Sequence, residues 1–367
     1  MIQHNPKNER VKRRYLIELK ERMGRSEATV DQVAKAIASF EAYNKYRDFK
    51  TFHYEQAIHF KKHLAAQDSK ITGEKLSKAT MHATLSNLKR FFQWLAGEPG
   101  YKSRLRYLDA DYFNMSEKDS RVANAHREKP VPTMEQIKHV LAKMPSRSDI
   151  EQRDRALIAF ALVTGSRDGA IVSMKLKHVD VVVGSVSQDA REVHTKSSKT
   201  FTTYFFPVGD EVRQIVVDWV RFLREVKLWS YDDPLFPATE VVLDRNNHWK
   251  VEGLKRAHWS TATPIRKIFR EAFTNAGLPY FNPHTFRNTL VHLGETRCQK
   301  IEHFKAWSQN LGHEEVLTTL LSYGKVSNRR QQEIIENLGS PHSFSGTNAE
   351  KYMEAALMEL RKSRVMV

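Results

Sequence analysis

His284 and Arg287 stand three positions apart, the spacing that puts two side chains on one face of a helix. An arginine fork binds two oxygens of a phosphate and stays charged at any working pH, while a histidine holds or donates a proton near neutrality. Alone, such a pair is also what an ordinary amphipathic helix presents. A second guanidinium comes from Arg167, in Thr164-Gly165-Ser166-Arg167, between the apolar runs 156–163 and 170–176. Gly165 permits a tight turn, and the start of the following helix favours an anion. Leu311-Gly312-His313 adds another histidine, and Tyr323 adds a phenol whose phenolate a nearby positive cluster would favour. Phosphate-binding, proton-donating and nucleophilic groups together are the equipment for attack on a phosphodiester.

These groups need elements to position them. Runs of strand character at 179–183, 191–195 and 201–208, separated by Gly184, Ser197 and Ser198, predict a small antiparallel sheet. Lys196 and Lys199 fall at its second turn, where a hairpin tip could deliver an ammonium group to a DNA groove or simply meet solvent. Thr133-Met134-Glu135-Gln136 has the capping-box spacing that starts a helix after Pro130 and Pro132. Upstream, helical periodicity dominates at 11–23, 28–46 and 54–65. It is clearest at Met81, Leu85, Leu88, Phe92 and Leu95, with Lys78, Lys89 and Arg90 elsewhere on that cylinder as candidate DNA contacts. Tyr43-Asn44-Lys45-Tyr46-Arg47 is an aromatic, basic helix end that could touch DNA or only water. The pattern breaks from about Gly97 into glycine, proline and mixed charge. The expected domains are therefore 1–115, a linker at 116–132, a second domain at 133–340 and a helical tail at 341–367 with Tyr352, Met353, Ala356, Leu357 and Leu360 on one side.

In this order, Thr164-Gly165-Ser166-Arg167, Lys196, His284-x-x-Arg287, Leu311-Gly312-His313 and Tyr323 resemble the tyrosine recombinases of the phage integrase family. The resemblance covers about 132–339 by motif and the N-terminal third by architecture. It implies a mainly α protein with a small antiparallel β-sheet: an N-terminal helical core-binding (SAM-like) domain and a C-terminal α+β catalytic domain, closing as a clamp around DNA. It further implies that Arg167 and Arg287 clamp the scissile phosphate, that His284 and His313 support it, and that Lys196 protonates the leaving 5′-oxygen. Tyr323 would attack phosphorus and form a 3′-phosphotyrosine link, with no cofactor and no metal ion. Double-stranded DNA at attachment or recombination sites is the implied partner, engaged by a homo-tetramer on two duplexes, with an accessory DNA-bending protein as a further possible partner. The implied role is integration, excision or transposition of a mobile element. Dimer resolution by the same chemistry, type IB relaxation and a noncatalytic DNA-binding clamp are the alternatives. Three positions depart from the family pattern. Tyr323 lies ten residues after His313, one more than is common. Ala170 stands where many members carry a carboxylate, a role Asp168 could take, and Lys199 competes with Lys196 as proton donor.

Composition agrees with a nucleic-acid partner. Among 367 residues, 59 Lys and Arg against 43 Asp and Glu give a formal net charge of +16, a surface that attracts phosphates. No apolar run approaches the length needed to span a bilayer, so no membrane partner is expected, and the polar, basic N-terminus has no secretory h-region. A single cysteine, Cys298, excludes an internal disulfide and a multi-cysteine zinc module, and the histidines lack metal-site spacing. A cytoplasmic, nucleoid-associated protein is expected, in a prokaryotic or mobile-element setting.

Overall fold

In the computed structural model the described residues are 4–69, 73–125, 130–243 and 247–313. Tyr323, the last part of the expected catalytic domain and the expected tail at 341–367 lie outside them, as does 126–129. The chain divides into two compact units, Met1–Arg127 and Glu128–Val367.

The first unit is helical. Its helices are α1 (Pro6–Ile17, prolonged by a π turn at Glu18–Arg22), α2 (Glu27–Tyr43), α3 (Tyr54–Ala66), α4 (Lys78–Gly97) and α5 (Glu117–Asn124). Asn5, Ser26, Ser77 and Ser116 each accept a backbone N–H of the first turn, satisfying donors that a helix start otherwise leaves open. Met81, Leu85, Leu88, Phe92 and Leu95 are all buried, so the apolar stripe of α4 faces the core. That core is aromatic: Phe40 meets Phe60 and Phe92 edge-on with centroids 5.2 Å apart, and Phe52 stacks on Phe92 at 3.8 Å. The stretch expected to be linker from 116 instead begins with α5, which packs on α4 and pairs Asp119 with Lys78 at 2.9 Å. The Ser116 cap and the acidic first turn of Glu117 and Asp119 start a helix there, so the first unit continues past residue 115.

The second unit opens with α6 (Met134–Lys143), whose capping box joins Thr133 and Gln136 in both directions. Helix α7 (Asp149–Thr164) is buried over its whole last half, and the second core is built around it, with Phe236, Phe269, Phe286, Leu290 and Leu311 among its neighbours. After α8 (Asp168–Ser173) comes an antiparallel sheet in the order β1 (Val179–Asp180), β2 (Ser185–Gln188), β3 (Phe201–Tyr204). The strand boundaries differ from those predicted. Asp180 Oδ1 accepts the N–H groups of Val182 and Val183, and Gly184 lies at φ +74°, so the chain turns within 181–184 and the middle strand falls at 185–188. Residues 191–195 are not a strand, because Asp189 takes the Arg191 N–H and side chain and folds the chain into a turn. Next come α9 (Asp210–Arg221), a second antiparallel pair β4 (Ala238–Leu243) and β5 (Trp249–Lys255), α10 (Thr263–Asn275), α11 (Thr285–Arg297) and α12 (Ile301–Asn310). Among the described residues no helix is long and apolar enough to cross a membrane.

Candidate active site

Two chain reversals in the second unit converge on one guanidinium. Helix α7 ends at Gly165, whose φ of +59° is a conformation that side chains resist. A Cβ there would lie 2.9 Å from Leu311 Cδ2 and 3.0 Å from Leu290 Cδ1, so space as well as backbone angle requires glycine. The carbonyl exposed by this turn accepts from Arg287 Nη1 at 2.5 Å. At the end of α12 the Leu311 carbonyl accepts from Arg287 Nη2 at 2.6 Å, and His313 Nε2 lies 3.0 Å from the same nitrogen. Arginine only donates, so Nε2 accepts and the proton of a neutral His313 ring sits on Nδ1. Arg287 is 2 % exposed, its planar fork fixed by two backbone oxygens and a ring nitrogen.

The His313 side is fastened to the sheet. Asn310 Oδ1 accepts from Tyr204 N at 2.7 Å, Asn310 Nδ2 donates to Tyr204 O at 2.7 Å, and Thr203 Oγ1 donates to Asn310 O at 3.0 Å. Gly312 lies at φ +71°, and a Cβ on it would come within 2.5 Å of Phe201 Cζ. Between β2 and β3 a 3₁₀ turn, Lys196–Ser198, carries Lys196, and the loop before it is held to α8 by His194 N donating to Ser173 Oγ at 2.8 Å.

The electrostatics record which groups share this space. Burial first, then the charges of Arg287, Arg167, Lys199 and Lys196, hold His313 down to about 3, far below an ordinary histidine. His284 starts α11 and keeps an exposed edge, yet desolvation followed by Arg287 and Arg167 lowers it too, with Lys196 adding and Asp168 opposing. Both rings are neutral at pH 7. Arg167, Arg287 and Lys196 thus act on both histidines and Lys199 on His313, an excess of positive charge suited to a phosphate. Lys196 is felt at both histidines, Lys199 at His313. Among the described residues no group of three or more His, Cys, Asp or Glu side chains is placed to hold a metal ion.

The model of the phage integrase family matches residues 131–329, more than half of the chain. The chain belongs to the phage integrase family. Its catalytic class is therefore that of the tyrosine recombinases, enzymes of DNA recombination and integration. The tyrosine recombinase XerC of Lactobacillus leichmannii is 24% identical over 262 residues, covering 70% of this chain and 75% of that protein. A lambda integrase fragment, solved as a dimer bound to a COC′ core site, superposes with a TM-score of 0.59 at 14% identity over 88% of this chain and 96% of that one. The integrase of transposon Tn1549, solved with transposon right-end DNA, gives 0.56 at 15% identity over 90% and 99%. At these identities the two structures speak for the integrase fold alone: the N-terminal helical domain and the mainly α catalytic domain with its small sheets.

The fold of this recombinase also contains contacts that the sequence motifs do not single out. Asp168 Oδ2 accepts from Arg266 Nε at 2.7 Å, bringing a cation of α10 to the edge of the site, whereas Ala170 is buried. Nothing in the local sequence around Arg266 signals this, because its partner is 98 residues away. Asn310 escapes sequence reasoning for the same reason. Ser166 Oγ, between Gly165 and Arg167, is buried and has no hydrogen-bond partner among the described residues. The remaining candidates lie on α4 in the first unit. Lys78 pairs with Asp119, Lys89 pairs with Asp111 at 2.8 Å and donates to Asn114 Oδ1 at 3.1 Å, and Arg90 is exposed.

Proposed function

We propose that this protein is a site-specific recombinase that cuts and rejoins duplex DNA through a 3′-phosphotyrosine at Tyr323, in the integration, excision or transposition of a mobile element. The observation that carries the reading is the convergence of Arg167, Arg287, Lys196, His284 and His313 on one positively charged site, with Arg287 locked in place by the Gly165 and Leu311 carbonyls. In this reading the two guanidiniums bind the nonbridging oxygens, where charge grows in the transition state. The Tyr323 oxygen forms a bond to phosphorus as its proton leaves to solvent. The bond from phosphorus to the 5′-oxygen breaks, and Lys196 gives that oxygen a proton, releasing a 5′-hydroxyl. The phosphotyrosine conserves the ester, so resealing needs only attack by a 5′-hydroxyl of the same or another strand. Lys199, whose charge acts on His313, is assigned to the phosphate backbone, and Asp168 to the charge balance of His284 in place of a carboxylate at position 170. Lys78, Lys89 and Arg90 are assigned to DNA contact by the first unit. A bound phosphodiester offsets the guanidinium charges and so favours proton uptake by His284 and His313.

The lambda and Tn1549 integrases were solved on core-site and transposon-end DNA, the former as a dimer, which supports duplex DNA as the substrate here. A homo-tetramer on two duplexes, with a DNA-bending partner, would carry out the paired exchange within the compartment that holds the DNA. Trapping decides the matter. Wild-type protein and Tyr323→Phe are incubated with supercoiled plasmid carrying the DNA that flanks the gene, quenched in detergent and assayed for protein-linked DNA. An adduct in the wild type that disappears in the variant is expected. Firm binding with no adduct in either protein would replace the reading with a noncatalytic clamp.

A further inference from the structure

We propose that a basic hollow in the first unit, where α1 begins beside the turn that follows α2, binds a phosphodiester of duplex DNA. The identity of the anion rests on the recombinase reading; the hollow itself rests on geometry and charge. It encloses about 790 Å³ between His4, Lys7, Arg10, Lys45, Tyr46 and Asp48. Its wall carries three cations, Lys7, Arg10 and Lys45, and the His4 ring, beside the Asp48 carboxylate.

Pairing separates this hollow from the lysines of α4. Lys78 and Lys89 each hold a carboxylate within 3 Å, so a phosphate arriving there must displace Asp119 or Asp111. At the hollow, Lys7 reaches Asp48 only at 3.9 Å. Among the described residues neither Arg10 nor Lys45 has a carboxylate within 4 Å. A phosphodiester entering here meets Lys7, which Asp48 partly offsets, and Arg10 and Lys45, which pair with no carboxylate among the described residues.

The wall is also built in advance. Lys45 and Tyr46 lie at φ +53° and +57°, two consecutive non-glycine residues in the left-handed region. A buried network holds them there. Tyr46 N donates to Glu41 O at 2.9 Å, Asn8 Nδ2 donates to Arg47 O at 2.9 Å and to Glu41 Oε1 at 3.1 Å, and Phe49 N donates to Asn8 Oδ1 at 3.0 Å. Asn8 and Glu41 are fully or almost fully buried, and Lys12 pairs with the second Glu41 oxygen. The backbone at 45–47 is therefore held in place at the rim of an open hollow, and binding need not reorder it. Strained backbone of this kind persists where the surroundings over-determine it, as at ligand clamps.

A backbone contact carries no base information, so the hollow should add affinity equally on every sequence. The test uses full-length protein and measures DNA affinity against salt for the wild type, Arg10→Gln/Lys45→Asn and Arg10→Lys/Lys45→Arg; asparagine suits the left-handed backbone at position 45. Loss of two phosphate contacts should lower the magnitude of the log–log salt slope by about 2 and weaken binding more than about tenfold at moderate salt. The losses should match on flanking and unrelated DNA, and the charge-conserving pair should keep the wild-type slope. An unchanged slope in the neutral pair overturns the proposal, as does wild-type protein that binds no DNA. Wild-type protein that binds DNA with the expected slope loss but forms no Tyr323 adduct would leave the hollow standing and sink the catalytic reading instead.

Discussion

The two units solve the same problem of fixing a basic surface with opposite materials. In the first, rigidity comes from an aromatic cluster of Phe40, Phe52, Phe60, Phe92 and Phe113, and two of the basic side chains on α4 are paired with carboxylates. In the second, the basic side chains stand inside the machinery: Arg287 is buried and held by carbonyls, and burial, then the surrounding cations, disfavour protonation of two histidines. A surface that needs only to attract a polyanion can leave most of its stability to apolar packing, with a buried polar network at Asn8 and Glu41 fixing one rim. A site that must meet a transition state has to bury polar groups such as Arg287, and burial then makes defined partners for them costly to lose.

The largest effect that would break this contrast is at Arg287. Arg287→Lys keeps the charge but loses the fork that spans the Gly165 and Leu311 carbonyls, and adduct formation should fall by about 10²–10³-fold while DNA affinity changes far less. Adduct formation near the wild-type rate, in a time course at saturating DNA, would mean that charge alone suffices and that the carbonyl cradle is incidental. Next comes Phe92→Ala, which removes a fully buried ring from the first unit. It should lower stability by about 3–5 kcal/mol in denaturant melts and leave the rate of adduct formation on saturating DNA unchanged. A matching fall in that rate would show that the first unit shapes the chemistry as well as the binding.

The smallest effect concerns pH. The unfolded chain takes up a proton on His313 near the ordinary value of about 6.5, whereas the folded site resists protonation until about 3. Between those values the unfolded state binds more protons, so acidification favours unfolding, and the stability is fully present above pH 6.5. From pH 7.5 to 5.5 the loss should approach about 1.4 kcal/mol from this histidine, and His313→Gln should flatten the dependence in thermal melts. Bound DNA should flatten it as well, since phosphate favours the protonated ring. A profile identical in wild type and variant would remove His313 from the positive cluster.

Periodicity makes the helical faces legible in the sequence. Met81, Leu85, Leu88, Phe92 and Leu95 are buried together, and Thr133 and Gln136 cap α6 as their spacing requires. The candidate site is legible in its residue types, because phosphate chemistry draws on few side chains and they recur in one order. Its supports are not. Arg266 and Asp168, or Asn310 and Tyr204, are joined across about a hundred positions by tertiary contacts that leave no local pattern. The strand boundaries are obscured for a smaller-scale reason. Valines at 179–183 carry strand propensity, but one aspartate side chain, Asp180, captures two backbone N–H groups and turns the chain first. Helix α5 is hidden by its polarity, since it has no buried residue to mark a face.

Asn310 offers Tyr204 an acceptor and a donor at 2.7 Å each, as a neighbouring strand would, so the end of α12 behaves as an extra rung on the edge of β3. The consequence is mechanical. The turn that carries Lys196 leads directly into β3, and His313 follows Asn310 by three residues. The strand that follows the Lys196 turn is thereby fastened to the helix end that leads into His313.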